Sequence, residues 1–357
     1  MEQSFAKKVL MVVFVSFLLL GSCEYLALNT DSPQKIREKF IPGVTDLRFS
    51  RDGSKIITFV CTELDTYPAL IGPLPVTGEA CARSRMKVLD ARTLGVVDET
   101  PEIDGTVNSL ASSPDGRYFV AAGTGRMDLE CNFTTFPPFF YCEPVYRGGK
   151  LTILDAGTGQ TDTMLLSSSV QAAAFSNDGE YLVTVLRSGF VEVWDFDARQ
   201  IVHQIDVGYS YSKAKAQFTP DDRYLILAFW KLYIIDTQTW TMSDTLPGKA
   251  DDFAIDPVNN RLFVSSGNTL KAYELGTWRE LSELRHEYKR SVGRITVSSD
   301  GLFLARIEFG VTIERIGTWD GLGVIPEEDV NAIEFSPVGT RLGCVSRKDS
   351  RISIWEW

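Results

Sequence analysis

The residues of this 357-residue chain best equipped for chemistry are its six cysteines, two histidines and a few paired carboxylates. Cys61 with Cys81 and Cys131 with Cys142 fall two by two in two separate stretches. Neither pair has the close spacing or the histidine company that a zinc site needs, so the expected chemistry is a disulfide in each stretch. Cys344, in an apolar strand pattern, reads as a buried, inert thiol. Cys23, directly after an apolar run, stands apart from the others. His203 and His286 fall near outer strands and make poor members of a catalytic triad. There is no nucleophile elbow, phosphate loop or His-Glu-x-x-His to carry a reaction. Asp251-Asp252 and Glu327-Glu328-Asp329 supply hard oxygens that could hold calcium if they converged. No cofactor, metal or catalytic residue is assigned.

The segment that precedes Cys23 is an address. Lys7 and Lys8 lead into an apolar run from Val9 to Leu20, which is about 12 residues and short of the roughly 20 that span a bilayer. Leu20-Gly21-Ser22-Cys23 resembles the lipobox of bacterial lipoproteins. That resemblance implies cleavage before Cys23, acylation (palmitate) of its thiol and amine, and an exported chain anchored by lipid at a bacterial membrane. The location would be the periplasmic side of the outer membrane or the cell surface, and Glu24, rather than Asp, after the cysteine favours the outer membrane. Two or three acyl chains hold where one does so only marginally. The chain is thus expected to divide into a signal peptide over 1–22, an anchored linker over 23–34 and a globular part over 35–357.

Composition sets outer limits. With 44% hydrophobic and 23% charged residues the chain can bury a large core. Its formal charge of -11 repels phosphate backbones, so nucleic acid is not expected as a partner.

What must position any site is a repeat. Phe49-Ser50-Arg51-Asp52-Gly53 returns at Ser113-Pro114-Asp115-Gly116, Phe175-Ser176-Asn177-Asp178-Gly179 and Phe218-Thr219-Pro220-Asp221-Asp222. It continues at Ile255-Asp256-Pro257, Val297-Ser298-Ser299-Asp300-Gly301 and Phe335-Ser336-Pro337-Val338-Gly339. Each is a tight turn between apolar strands. A third strand then ends in an acid, as in Val193-Trp194-Asp195, followed by a turn that often carries Thr-Trp and by a fourth, less apolar strand. Four strands in seven repeats predict an all-β, seven-bladed β-propeller. The repeats resemble the WD40 and YVTN-type propeller families. As in those families, the N-terminal strand over Lys35 to Phe40 should close the last blade, which reaches only its third strand at Trp357. Ile36, Glu38 and Phe40 are expected to share one face of it.

Counted from turn to turn, the repeats step by 63, 63, 43, 37, 42 and 38 residues. The first two carry insertions between their second and third strands, at about 61–85 and 124–149, read as long loops on one face of adjacent blades. The second is rich in aromatic residues: Phe133, Phe136, Phe139, Phe140, Tyr141 and Tyr146. With Tyr209, Tyr211, Trp230 and Tyr288 these form the candidate binding face, joined by Lys289, Arg290 and Arg347. The function expected is a monomeric, lipid-anchored, non-catalytic interaction or ligand-binding propeller, engaging an envelope protein, a peptide or a glycan. The competing reading is a propeller hydrolase or lactonase using carboxylates, with calcium, on the inserted face.

Overall fold

The computed structural model describes residues 33–71, 74–135, 138–208, 214–308 and 310–356; at 67–71, 74–80, 126–135 and 138–147 it describes the backbone alone. Seven antiparallel sheets follow one another around a ring. Their inner strands are Val44–Phe49, Val107–Ser112, Val170–Phe175, Lys215–Phe218, Asp252–Asp256, Ile295–Val297 and Val330–Phe335. Blade 3 shows the plain unit, with Val170–Phe175, Tyr181–Leu186, Phe190–Asp195 and Gln200–Asp206 in sequence order from axis to rim.

The repeated turn explains why the first two strands of each blade reverse so tightly. In blade 3, Ser176 Oγ donates to Asp178 Oδ1 at 2.6 Å and accepts from Tyr181 N at 2.9 Å. Asp178 also takes Glu180 N, and Gly179 supplies the positive φ of +82° at which the chain turns back. The same pair recurs as Ser50–Asp52, Ser113–Asp115, Thr219–Asp221 and Ser298–Asp300. Hydroxyl donation holds Asp52 and Asp115 below the ordinary carboxylate range.

Burial is organised between blades. Among the described residues seven apolar clusters form, each shared by two neighbouring blades. The Thr-Trp turns staple these seams. Trp240, Trp278 and Trp319 take φ of +52°, +57° and +60°, a left-handed conformation that costs a non-glycine residue about 1–2 kcal/mol. In return each ring lies on the preceding blade. Trp240 meets Tyr181 and His203, Trp278 meets Tyr224, and Trp319 meets Phe263 and His286.

Ring closure is as expected in kind and differs in detail. Gln34–Phe40 pairs antiparallel with Arg351–Glu356, the third strand of blade 7. A register shift between Lys35 and Arg37 interrupts the expected alternation. Ile36 packs on the blade 7–blade 1 core, whereas Phe40 stays exposed and Lys39 turns inward, its ammonium donating to Leu94 O at 2.7 Å. Lys35 clamps the strand through Glu327 at 3.1 Å and stacks over the Trp355 ring. Blade 5 is the irregular one. Its fourth strand is only His286–Glu287, after a single 3₁₀ turn at Ser282–Leu284.

Two outcomes should follow. Deleting residues 24–41 leaves the third strand of blade 7 as an unpaired edge, and size-exclusion chromatography should show aggregation; a monomer with unchanged melting would refute closure. Trp240→Ala should cost about 3–5 kcal/mol in urea unfolding.

Candidate functional site

The two insertions are not loops. The second and third strands of blade 1 run on as Lys55–Ile71 and Leu74–Asp90, and those of blade 2 as Tyr118–Thr135 and Pro138–Asp155. Their ladders stay paired to the tips, at Ile71 with Leu74 and Thr135 with Pro138. The physical reason is continuity of pattern: β-branched and aromatic residues such as Thr66, Tyr67, Phe133, Thr134 and Tyr141 prolong the strands, with the register of the first arm shifting at its root between Cys61 and Leu64. Each hairpin reaches about 35 Å past the blade at roughly 3.4 Å per residue. The second strand of blade 1 lies against the third strand of blade 2, so the arms stand together.

The root of the first arm is tied on three sides. Cys61 and Cys81 form the expected disulfide, with Cα atoms 5.8 Å apart. Cys61 N donates to Gly43 O at 3.0 Å, in the segment that leads from the closing strand into blade 1. Gly105 N donates to Ala82 O at 2.8 Å and Thr106 Oγ1 to Cys81 O at 3.1 Å, in the connection to blade 2. Both glycines are required. A Cβ at Gly43 would lie 2.4 Å from Cys61 O, and one at Gly105 2.4 Å from Gly125 O. At the root Arg83 pairs with Glu63, and within the blade just below it Arg85 and Lys87 pair with Glu99.

In the second arm the backbone register sets Cys131 directly opposite Cys142. Their side chains, and those of Phe133, Phe139, Phe140, Tyr141 and Tyr146, lie outside the described residues, as do Phe136, Tyr209 and Tyr211 altogether.

Trp230 is where the sequence placed it, at the tip of the blade 4 hairpin on the same face. It is 67% exposed at φ +115°, a region that favours glycine. Tyr288 corrects the expectation. It is buried between blades 5 and 6, its hydroxyl donating to Glu314 Oε2 at 2.8 Å beneath the Arg306 guanidinium. Burial beside that carboxylate pushes the phenol far above its ordinary value. Placing it by sequence failed because the short fourth strand of blade 5 tucks it inward.

The acidic clusters do not converge. Asp251 pairs with Lys249 and Glu328 with Lys348, while Glu327 meets Lys35. Among the described residues no three His, Cys, Asp or Glu side chains group as metal ligands do. Asp252 instead faces the central channel. There Lys215 donates to its Oδ1 at 2.9 Å, and Asp252 also accepts Phe253 N and Ile295 N. Arg48 meets Glu334 at 3.5 Å, and Arg294 reaches past blade 7 to Asp46 at 3.1 Å. Enclosure by the ring pushes Lys215 down and Glu334 up, each toward its neutral form, against the pull of Asp252 and Arg48. The channel opens on the face of the Asp-Gly turns as a cavity of about 480 Å³. Of these six charges the sequence reading singled out Asp252 alone, as a possible calcium ligand; the signal for others was present, since charged residues at alternating inner-strand positions, such as Asp46 and Arg48, must face the axis.

The comparisons agree with this architecture. The WD domain, G-beta repeat family matches residues 99–128 and 161–195. The first match spans the approach to blade 2 and breaks off where its arm begins, and the second ends on Trp194-Asp195. The crystal structure of the β-propeller domain of Myceliophteria thermophila Cps50 (Swd1) is similar, with a TM-score of 0.66 at 15% identity, covering 91% of this chain and 99% of that one. No curated protein matches.

Lys215→Met would leave Asp252 buried without its cation and should lower unfolding stability by about 3 kcal/mol. Adding Asp252→Asn should recover most of that loss in the same denaturation assay. Trp230→Gly should leave stability equal or higher, because strain is relieved and little packing is lost. Taken together, the ladders, the turns and the matched segments make this chain a seven-bladed β-propeller with WD40 repeats at residues 99–128 and 161–195.

Proposed function

We propose that this chain is an exported, lipid-anchored propeller that grips a protein partner of the cell envelope between and beside its two arms. The observation that carries the reading is the pair of arms: two adjacent blades, and no other described ones, prolong their second and third strands far beyond the ring. WD40 propellers are typically non-catalytic scaffolds that bind proteins, and the arms enlarge the face on which such a scaffold would do so. The Cys61–Cys81 disulfide at the root favours an oxidising compartment, in keeping with a signal segment ahead of Cys23. Cys131 and Cys142, opposed in the ladder, would close the second arm in the same way.

Removing 62–83 and 126–147, with Asn-Gly reversing each hairpin and Cys61→Ser, should give a soluble propeller of nearly unchanged melting. That protein should no longer recover the parent's partner from detergent extracts, as read by mass spectrometry of co-purified proteins. If it keeps every partner, the arms are not the binding face. Separately, Cys23→Ala should move the protein from the membrane to the soluble fraction; retention equal to the parent's would refute the anchor.

A further inference from the structure

The two faces of the ring differ in a way that bears on how an anchored chain would stand on its membrane. Gln34 pairs with Glu356, and Glu356 with Arg341, the first strand residue after the Ser336-Pro337-Val338-Gly339 turn. The closing strand therefore begins on the face of the Asp-Gly turns and runs toward the face of the arms. Whatever precedes Gln34 leaves the ring on the turn face, at blade 7. Ten residues separate Cys23 from the closing strand, at most about 36 Å of chain.

The turn face carries an apolar arc in that same sector. Val258 in blade 5, Leu302 in blade 6 and Val338 in blade 7 are 61%, 48% and 51% exposed. Val258 and Val338 stand where other blades carry the capping Asp, as Asp52 and Asp178 do in accepting a hydroxyl and an amide of their own turns. Leu302 holds the position taken by Ser54, Arg117, Glu180 and Arg223 elsewhere. Blade 7 thus gives up the Asp cap, blade 5 moves it to Asp256, which accepts Asn259 N at 3.1 Å, and blade 6 gives up a polar residue, each showing an exposed aliphatic side chain, with exposed Pro257 and Pro337 beside two of them. Three adjacent turns that show aliphatic side chains about half or more exposed, where the other turns show charged or hydroxyl ones, form an apolar surface offered to something outside the chain.

We infer that the turn face is the membrane side of the anchored protein: Val258, Leu302 and Val338, with Pro257 and Pro337, rest on a zwitterionic lipid surface, and the arms point away from it. This rests on acylation at Cys23. Three aliphatic side chains are too few to recruit a chain of this charge from solution. Once a short tether confines it at high effective concentration, they suffice to choose which side faces down. Asp52, Asp115, Asp178, Asp221 and Asp300 on the same face select against anionic headgroups.

The test reconstitutes the full chain in phosphatidylcholine vesicles doped with a diazirine-bearing phosphatidylcholine, irradiates, and maps the lipid adducts by peptide mass spectrometry. Adducts should be at least fivefold denser on peptides carrying Val258, Leu302 and Val338 than on the arms. The combination Val258→Asp, Leu302→Asp and Val338→Asp, all at exposed positions, should lower them severalfold while circular dichroism stays unchanged. Equal labelling of both faces, labelling concentrated on the arms, or a triple variant that labels like the parent would overturn the proposal. So would turn-face-to-turn-face cross-links between two copies that the triple variant abolishes, since the arc would then be a dimer contact. The mass of the Cys23 peptide reads the anchor separately. If it carries no acyl group the anchor fails, and the same chain coupled through the Cys23 thiol to maleimide lipid still reports which face meets the bilayer.

Discussion

A four-stranded sheet has two faces, and in this chain both are apolar. Stacking blades covers every face except two, the outer faces of the first and the last, so the stack must bend until those meet. That closure is the constraint on which the rest depends. The blade 7–blade 1 seam holds Ile41, Leu47, Phe49, Val345 and Ile354 in one buried cluster, as continuous as any other seam. Because the first and last strands of the ring meet at this seam, the pairing of Gln34–Phe40 with Arg351–Glu356 closes it with a hydrogen-bonded ladder. Lys35 reinforces it by reaching Glu327 and Trp355 at once.

Closure was legible in the sequence because it leaves an arithmetical trace, a last repeat one strand short and a spare strand at the front. The turns were legible because their chemistry is local: Ser, Asp and Gly act within five residues of one another. What escaped was decided across blades. The Thr-Trp turns were visible as a repeat, yet nothing local says that Trp240 accepts a left-handed backbone to lie over Tyr181 of the blade before it. Tyr288 was misplaced for the same reason, since its partners Arg306 and Glu314 belong to the next blade. The arms were misread because length was taken for irregularity, although their β-branched residues continue the strands.

The channel shows how the ring handles buried charge. Three cations, Arg48, Lys215 and Arg294, face three carboxylates, Glu334, Asp252 and Asp46. Charges enclosed in this way are tolerated only when each has a partner and further hydrogen bonds, as Asp252 has from two backbone amides. A network so fully committed holds inner strands of different blades in register and leaves little capacity to grip a ligand there. The uncommitted features lie on the rims: the arms and Trp230 on one, the aliphatic arc on the other.

An arm of about 35 Å is useful for binding only if it does not swing, because a partner that immobilises it must offset the ordering of the whole lever. Here the stiffness is inherited. Each arm continues strands whose first six residues are fixed inside a blade, so bending it means breaking ladder bonds near the ring rather than turning a loose hinge. The root of the first arm is where bending stress would concentrate. There the Cys61–Cys81 bond, the Gly43 carbonyl and the Gly105 and Thr106 donors all meet. Three of those contacts come from the connections that enter and leave blade 1, so the arm is referenced to both neighbouring blades. The closure that holds the ring together thereby also aims the arm, since Gly43 lies only three residues beyond the closing strand.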